Sequence, residues 1–465
     1  MIIVLGGGLA GLGAGYVLTE GDIPFVLVEK EPSVGGLSKT VHHRGFHFDL
    51  GGHRFITDND HINRLILKIL GDRLLRVKRR SKIYIKGKYI DYPLRPFNAL
   101  TGLGTLNSVL MVADYFKEKI RSHFSDNDDI RNLEQWVVKN FGRRIFELYF
   151  RDYSEKVWGM ACSEISKEWI SQRINGLSLG ATLKNALLHI RQKEMRTLTD
   201  EFLYPDSGIG MIAERLKEFI QYKARVFTES TVVEMIHDGE RIRELSMLTP
   251  EGIVHRDVEH LISTIPLHTL LGIMKPSPPE NVKDALKGLS YRHLILVTVF
   301  LNKEQATDLT WLYFPDRAIP FGRIHEPKNW SPLMAPEGKT HLVVEFFCSE
   351  GDGLWNCSND KLEEFTVDEL QKLGFFERSE IIDLLTLRIR NAYPVFDINF
   401  RENLAVIQDY LKGFKNLSIA GRTGAFGYLN MDHALLSGME AASVVLNQNW
   451  DREGSLEHCY LSTVR

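Results

Sequence analysis

Gly6, Gly8 and Gly11 follow four apolar residues in "MIIVLGGGLAGLGAGYVLTEG", and Glu29 ends the next apolar run, "FVLVEK". This spacing suits a dinucleotide. Gly6 permits a tight turn, Gly8 lets the backbone approach a pyrophosphate, and Gly11 lets the following helix sit close to the strand. The helix N-terminus then offers free N–H groups and the positive end of its dipole to the phosphates. Glu29 can accept hydrogen bonds from ribose hydroxyls. A glycine pair, Gly35 and Gly36, stands just past the acid in "EKEPSVGGLSKT", where a loop can lie along the diphosphate. Gly51, Gly52 and His53 close "RGFHFDLGGHRFI". Farther on stand the aromatic and charged residues Tyr153, Trp158, Arg323, Glu326, Arg422 and Tyr428. Taken singly, each has a structural reading: Tyr153 and Trp158 as core aromatics, Arg323 and Glu326 as an internal ion pair. Likewise, His53 alone reads as a satisfied turn histidine and Tyr428 as a cap on a glycine loop.

The elements that must position these groups can be read from periodicity. The opening reads as buried strand, glycine turn and helix, followed by a parallel strand. Residues 61–199 read as a mainly helical insertion, interrupted by a hairpin in "SKIYIKGKYIDYPL" with its turn at Lys86-Gly87. The apolar stretch "NALTGLGTLNSVLMVADYF" is too polar and too broken to span a membrane and reads as a helix packed in a core. "HLILVTVFLN" and "THLVVEFFC" are long β runs within a β-rich segment, residues 271–399. The closing segment "NLSIAGRTGAFGYLNMDHALLSGMEAASVVL" again reads as strand, glycine-rich loop and helix. A discontinuous nucleotide domain from residues 1–60, 200–270 and 400–450 follows. The fold class is α/β: a Rossmann-like cofactor domain with inserted helical and mixed β-sheet substrate domains.

The 465 residues are 44% hydrophobic and 25% charged, as in a globular protein, with a net charge of −3. That balance gives no general attraction to nucleic acid or to an anionic membrane. Cys162, Cys348, Cys357 and Cys459 lack metal-type spacing, so neither a zinc site nor a disulfide framework is expected. Met1 leads straight into a strand-like run without a basic segment, so no signal peptide is expected and the cytoplasm is the expected compartment.

The glycine series resembles the FAD-binding region of the family that contains amine oxidases, protoporphyrinogen oxidase, carotene desaturases and UDP-galactopyranose mutase. The resemblance implies FAD, with Lys30, Leu37, Val232, Gly421, Arg422, Asn430 and Met431 joining the glycines, Glu29 and His53 around it. The helix N-terminus near Met431 would face the flavin ring, where its dipole favours negative charge on the reduced form. Three further stretches are similar to the mutases: "FRDYSEKVWGMACSEISKEWISQRI", "IPFGRIHEPKNW" and "GRTGAFGYLNMDHA". They imply Tyr153 and Trp158 at a sugar-nucleotide site, Arg323 and Tyr428 on its diphosphate, and Arg422 beside the flavin. Arg173, Tyr204 and Tyr393, in matching stretches, are implied at the same site.

The mutase resemblance implies an isomerase without net redox change. In that family reduced flavin attacks the anomeric carbon through N5, and the flavin–sugar adduct lets the ring reopen and close at another size. His53, Arg323, Arg422 and Tyr428 are the implied catalytic residues. The implied partners are a sugar or nucleotide sugar and NAD(P)H as candidate electron donor; an oligomer is compatible with the reading. There is a departure: Leu177 stands where the mutases carry a second diphosphate arginine, and an assisting tyrosine is replaced near "VEFFC". The loss of one cationic clamp keeps open the alternative, a two-electron FAD oxidoreductase.

Overall fold

A computed structural model describes residues 1–92, 105–123, 130–169 and 201–446. Arg173 and Leu177 lie outside these residues, as does Cys459. A five-stranded parallel sheet runs in the order Leu417–Ile419, His260–Ser263, Ile2–Leu5, Phe25–Val28, Ala224–Phe227. Ile2–Leu5 and Phe25–Val28 are buried along their whole length, as expected of strands covered on both faces. The helix Leu9–Glu20 is buried from Leu9 through Leu18. It can be so because its neighbours come unusually close. A Cβ on Gly438, in the helix Met431–Val445, would lie 1.7 Å from the carbonyl oxygen of Ala10, and one on Gly13 would lie 2.3 Å from that of Leu435. Glycine is therefore what lets the first and last described helices pack backbone to backbone.

The second large unit is a seven-stranded mixed sheet, ordered Ile381–Pro394, Tyr291–Leu301, Thr340–Cys348, Arg323–His325, Trp311–Tyr313, Ser81–Ile85, Lys88–Tyr92. Its central strands Tyr291–Leu301 and Thr340–Cys348 are buried at every residue. Alternate side chains serve two cores. Ile295, Val297 and Val299 pack with Leu362, Val367 and Leu370 of the helix Asn359–Lys372. Leu294, Leu296 and Phe300 pack with Phe46 and Phe48 of the hairpin Thr40–Asp49. A smaller sheet, ordered Gly252–Asp257, Ile242–Thr249, Thr231–His237, Met274–Lys275, flanks the parallel one in sequence.

The hairpin Ser81–Tyr92 forms at the turn read from sequence, with Lys86 at φ 50° and Gly87 at φ 77°, the positive values a two-residue hairpin turn demands. Its place differs from the expectation of an interruption within a helical insertion. Ser81–Ile83 pairs in parallel with Trp311–Tyr313, so the hairpin extends the seven-stranded sheet. The helix Thr105–His123 also differs from a wholly buried one: Met111 and Tyr115 are buried, whereas Phe116 and Ile120 are 55% and 60% exposed. No described helix is long and apolar enough to cross a membrane.

Candidate active site

A cavity of about 1560 Å³ runs from the ends of the parallel strands, at Leu5, Val28 and Thr264, to Tyr313, Arg323 and Tyr393 of the seven-stranded sheet. Ligands of open α/β sheets bind at this carboxyl edge. Gly6 adopts φ 97°, open to glycine at little cost. A Cβ on Gly11 would sit 1.8 Å from the carbonyl oxygen of Gly6, whereas one on Gly8 would meet nothing nearer than Gly36 Cα at 3.9 Å. Gly11 thus closes helix on strand, while Gly8 leaves bare backbone on the cavity wall. Gly35 donates its N–H to the Gly7 carbonyl at 2.7 Å, which lays the second glycine pair along the first. Glu29 Oε2 accepts from the Gly7 N–H at 2.7 Å and Oε1 from the Glu31 N–H at 2.9 Å. Its carboxylate both pins the turn and lines the cavity, together with Lys30, Leu37 and Val232.

The far end of the cofactor side comes from the last described strand and helix. Gly421, at φ 81°, donates its N–H to Ser437 Oγ at 2.7 Å. Asn430 precedes the helix that begins at Met431, and both residues line the cavity, so that helix presents its N-terminus there. Gly52 and His53 line the wall between the two sheets. Gly51, at φ 95°, stands behind them, its carbonyl 3.0 Å from His53 Nδ1. Bare backbone along Gly8 and Gly36, an acid for a ribose and a helix N-terminus beyond together fit the elongated FAD.

The other end of the cavity is lined by an arginine–tyrosine cluster. Arg323 Nη2 donates to the Tyr393 hydroxyl at 2.8 Å. The Tyr393 and Tyr428 rings stack 6.0 Å apart at 14°. The Arg422 guanidinium lies 5.5 Å and 5.0 Å from their centroids and donates to the carbonyls of Leu429 and Ala392. Tyr153 joins the wall, its ring edge-on to Tyr313 at 5.8 Å. Trp158 is buried behind it, in ring contact with Trp169, Tyr393 and Tyr428. The helix Arg151–Trp158 that carries both ends at Gly159, φ 69°. Arg292 closes its C-terminus by donating to the carbonyls of Val157 at 2.9 Å and Lys156 at 3.2 Å.

Three expectations need correction. Trp158 does not line the cavity; it is buried behind the tyrosines that do. Tyr204 does not reach the cavity. It is buried, meets Trp330 edge-on at 5.1 Å and donates its hydroxyl to Asp49 Oδ2 at 2.7 Å, which makes it a core tie to the Thr40–Asp49 hairpin. Glu326 does not pair with Arg323. Its carboxylate accepts from the N–H groups of Ala306 and Thr307, at 3.1 Å and 2.7 Å, and from the Thr340 hydroxyl.

The partner of Arg323 is Glu345, a residue that motif reading passes over. It is fully buried, forms an ion pair with Arg323, and its Oε1 accepts from the Gly52 N–H at 3.2 Å. The available signal was a lone carboxylate inside the apolar run "THLVVEFFC". Burial opposes the Arg323 charge, but Glu345 outweighs it and holds the guanidinium well above its ordinary value. His53 moves the other way. Burial first, then the Arg422 charge, push it down to about 4, so it is a neutral imidazole at neutral pH.

Residues 9–446 match the sequence pattern described as flavin containing amine oxidoreductase. Protoporphyrinogen oxidase 1 of Arabidopsis thaliana is 21% identical over 90% of this chain and 83% of its own length. Among solved structures, a reduced UDP-galactopyranose mutase superposes with a TM-score of 0.83 at 23% identity, covering 96% of this chain and 93% of that one. Cyclohexylamine oxidase from Brevibacterium oxydans does so with a TM-score of 0.65 at 14% identity, over 96% and 98%.

Proposed function

The chain belongs to the flavin containing amine oxidoreductase family, and we propose that within it the protein is an FAD-dependent, mutase-like isomerase of a sugar or nucleotide sugar. The observation that carries this reading is the arginine–tyrosine cluster, in which Arg323, Tyr393, Arg422 and Tyr428 meet at one end of the cavity. Cations and phenols in such density suit an anionic leaving group and hydroxyl-rich substrate better than an apolar amine.

Held by the Gly8–Gly36 strip, Glu29 and the Met431 helix, FAD supplies a nucleophilic ring nitrogen when reduced and a hydride acceptor when oxidised. The chain's own groups do the rest. Arg323 and Tyr428 bind and neutralise the departing anion. Tyr153 and Tyr313 pack the sugar, and Trp158 keeps the tyrosine pair in place from behind. Arg422, fixed by two backbone carbonyls, holds positive charge where the flavin ring would lie. His53, neutral, serves as a hydrogen-bond partner and adds no further cation.

A second reading, a two-electron oxidoreductase, is favoured by the Arg323–Glu345 pair, because an arginine already neutralised is a weaker anion clamp. The Arabidopsis relative, named a protoporphyrinogen oxidase, points the same way. The two differ in electron balance. After one anaerobic reduction, an isomerase forms product far beyond one equivalent per flavin without further reductant. Product limited to one equivalent, or peroxide release in air that tracks product, assigns the oxidoreductase instead.

A further inference from the structure

Lys156 lies between Tyr153 and Trp158 on the helix Arg151–Trp158, and the mechanism above makes no use of it. Its ammonium donates to the backbone carbonyls of Phe314 at 2.5 Å, Asp316 at 2.6 Å, Ile319 at 2.7 Å and Phe321 at 3.3 Å. All four belong to one loop, residues 314–322, which joins the strands Trp311–Tyr313 and Arg323–His325. The neck of that loop is closed by the Phe314 N–H on the Gly322 carbonyl at 2.9 Å. Immediately beyond the neck, Tyr313 and Arg323 are direct cross-strand partners. Both line the cavity, as does Tyr153.

A loop whose carbonyls converge on one point needs a cation there, because inward-facing carbonyl dipoles repel one another. Lys156 is that cation. A second tie runs in the reverse direction: Arg317 at the loop tip donates to Asp152 Oδ1 at 2.8 Å and pairs with Glu155, both on the Lys156 helix. Arg292, from the central strand of the seven-stranded sheet, accounts for the Lys156 carbonyl. Among the described residues no side-chain carboxylate bonds the Lys156 ammonium directly; Asp152 and Asp316 act on it at longer range.

We propose that Lys156 is a positioning residue for the substrate end of the cavity: the 314–322 loop folds around its ammonium, which sets Tyr313 and Arg323 against Tyr153. The inference rests on reading that wall as the substrate end. Lys156 has a second property that makes the cage testable. Burial pushes its ammonium down to about 7, against the charges of Asp316 and Asp152 and with that of Arg317. Above neutrality the group loses its charge and one of its three N–H donors, and the loop loosens.

The test is amide hydrogen exchange on the FAD-loaded protein, comparing wild type with K156M, which keeps the side-chain bulk and removes the charge. In K156M, amides in residues 311–325 should exchange at least about tenfold faster, with the Leu9–Glu20 helix and the FAD content unchanged. In wild type, exchange of residues 311–325, corrected for the intrinsic effect of pH, should rise from about pH 6 to about pH 9, and in K156M it should be flat. Unchanged exchange in K156M overturns the proposal, as does an increase spread evenly over the molecule. Should K156M fail to fold, the wild-type pH series decides alone, and a flat corrected profile overturns it. Neither measurement uses a substrate. If the loop behaves as expected while Arg323→Ala leaves turnover intact, the substrate-end reading fails and the cage stands.

Discussion

Removing the Glu345 carboxylate should be one of the most damaging single changes available near the site. Glu345 is fully buried, and the Arg323 side chain opposite it is only 12% exposed. In Glu345→Ala the guanidinium keeps the Tyr393 hydroxyl and the faces of Trp311 and Phe347, 5.4 Å and 4.9 Å from their centroids. Among the described residues it has no counter-ion left. Breaking a buried pair from one side costs about 3–5 kcal/mol. The Gly52 N–H also loses its acceptor, which adds about 1 kcal/mol. A total near 5 kcal/mol is a large share of the ~5–15 kcal/mol that holds an ordinary domain folded. The assay is urea unfolding of Glu345→Ala, Arg323→Met and the double variant, with circular dichroism as the probe. Each single variant should lose several kcal/mol, and the double should lose clearly less than their sum, because no buried charge is then left unpaired. A loss under about 1 kcal/mol in Glu345→Ala, the size expected of an exposed pair, or strict additivity in the cycle, refutes the reasoning.

Arg323→Ala should weaken binding of an anionic substrate by ~1.5–3 kcal/mol while FAD content holds; isothermal titration with UDP as probe reports the first and absorbance the second, and equal affinity in both proteins would demote Arg323 to a structural role. Gly8→Val should yield colourless protein, since its side chain fills the bare strip beside Gly36; a stoichiometric flavin spectrum would contradict that. Gly438→Ala places a methyl 1.7 Å from the Ala10 carbonyl oxygen, so it should destabilise by at least about 1–3 kcal/mol and release FAD, read as a lower thermal midpoint. His53 has a folded pKa depressed from 6.5 to about 4. The unfolded chain therefore binds more protons between those values. Its contribution to stability is complete above 6.5 and is lost as pH falls toward 4, and His53→Asn should flatten that part of the acid-unfolding profile.

The cofactor half was more legible than the substrate half, for a physical reason. Glycines at Gly6, Gly11, Gly35 and Gly421 are demanded by backbone angle or by close approach, so residue type reports conformation directly. The Lys86-Gly87 turn was legible in the same way. What the hairpin joins was not, because its pairing with Trp311–Tyr313 spans more than two hundred residues and leaves no local mark. Arg323 could be picked out by motif, but its partner could not: Glu345 comes from the facing strand Thr340–Cys348, whereas Glu326, nearer in sequence, is consumed by the Ala306–Thr307 backbone. Tyr204 is implied at the site only by its matching stretch, yet strand alternation and the Asp49 carboxylate turn it into the core. The four carbonyls around Lys156 belong to the backbone and are invisible to any reading of side-chain types.

The backbone contact between Gly438 and Ala10 joins segments that are synthesised more than four hundred residues apart. The edge strand Leu417–Ile419 and the helix that packs on Leu9–Glu20 are among the last described segments to leave the ribosome, whereas the glycine turn they complete is among the first. At ~5–20 residues per second, the turn waits roughly 20–90 s for its other wall. During that interval the nascent chain has strands Ile2–Leu5 and Phe25–Val28 without their final neighbours, and no closed flavin cradle. Flavin colour in this protein is thus a report that translation has passed residue 440, and ribosome-stalled chains ending before residue 417 should remain colourless however much FAD is supplied.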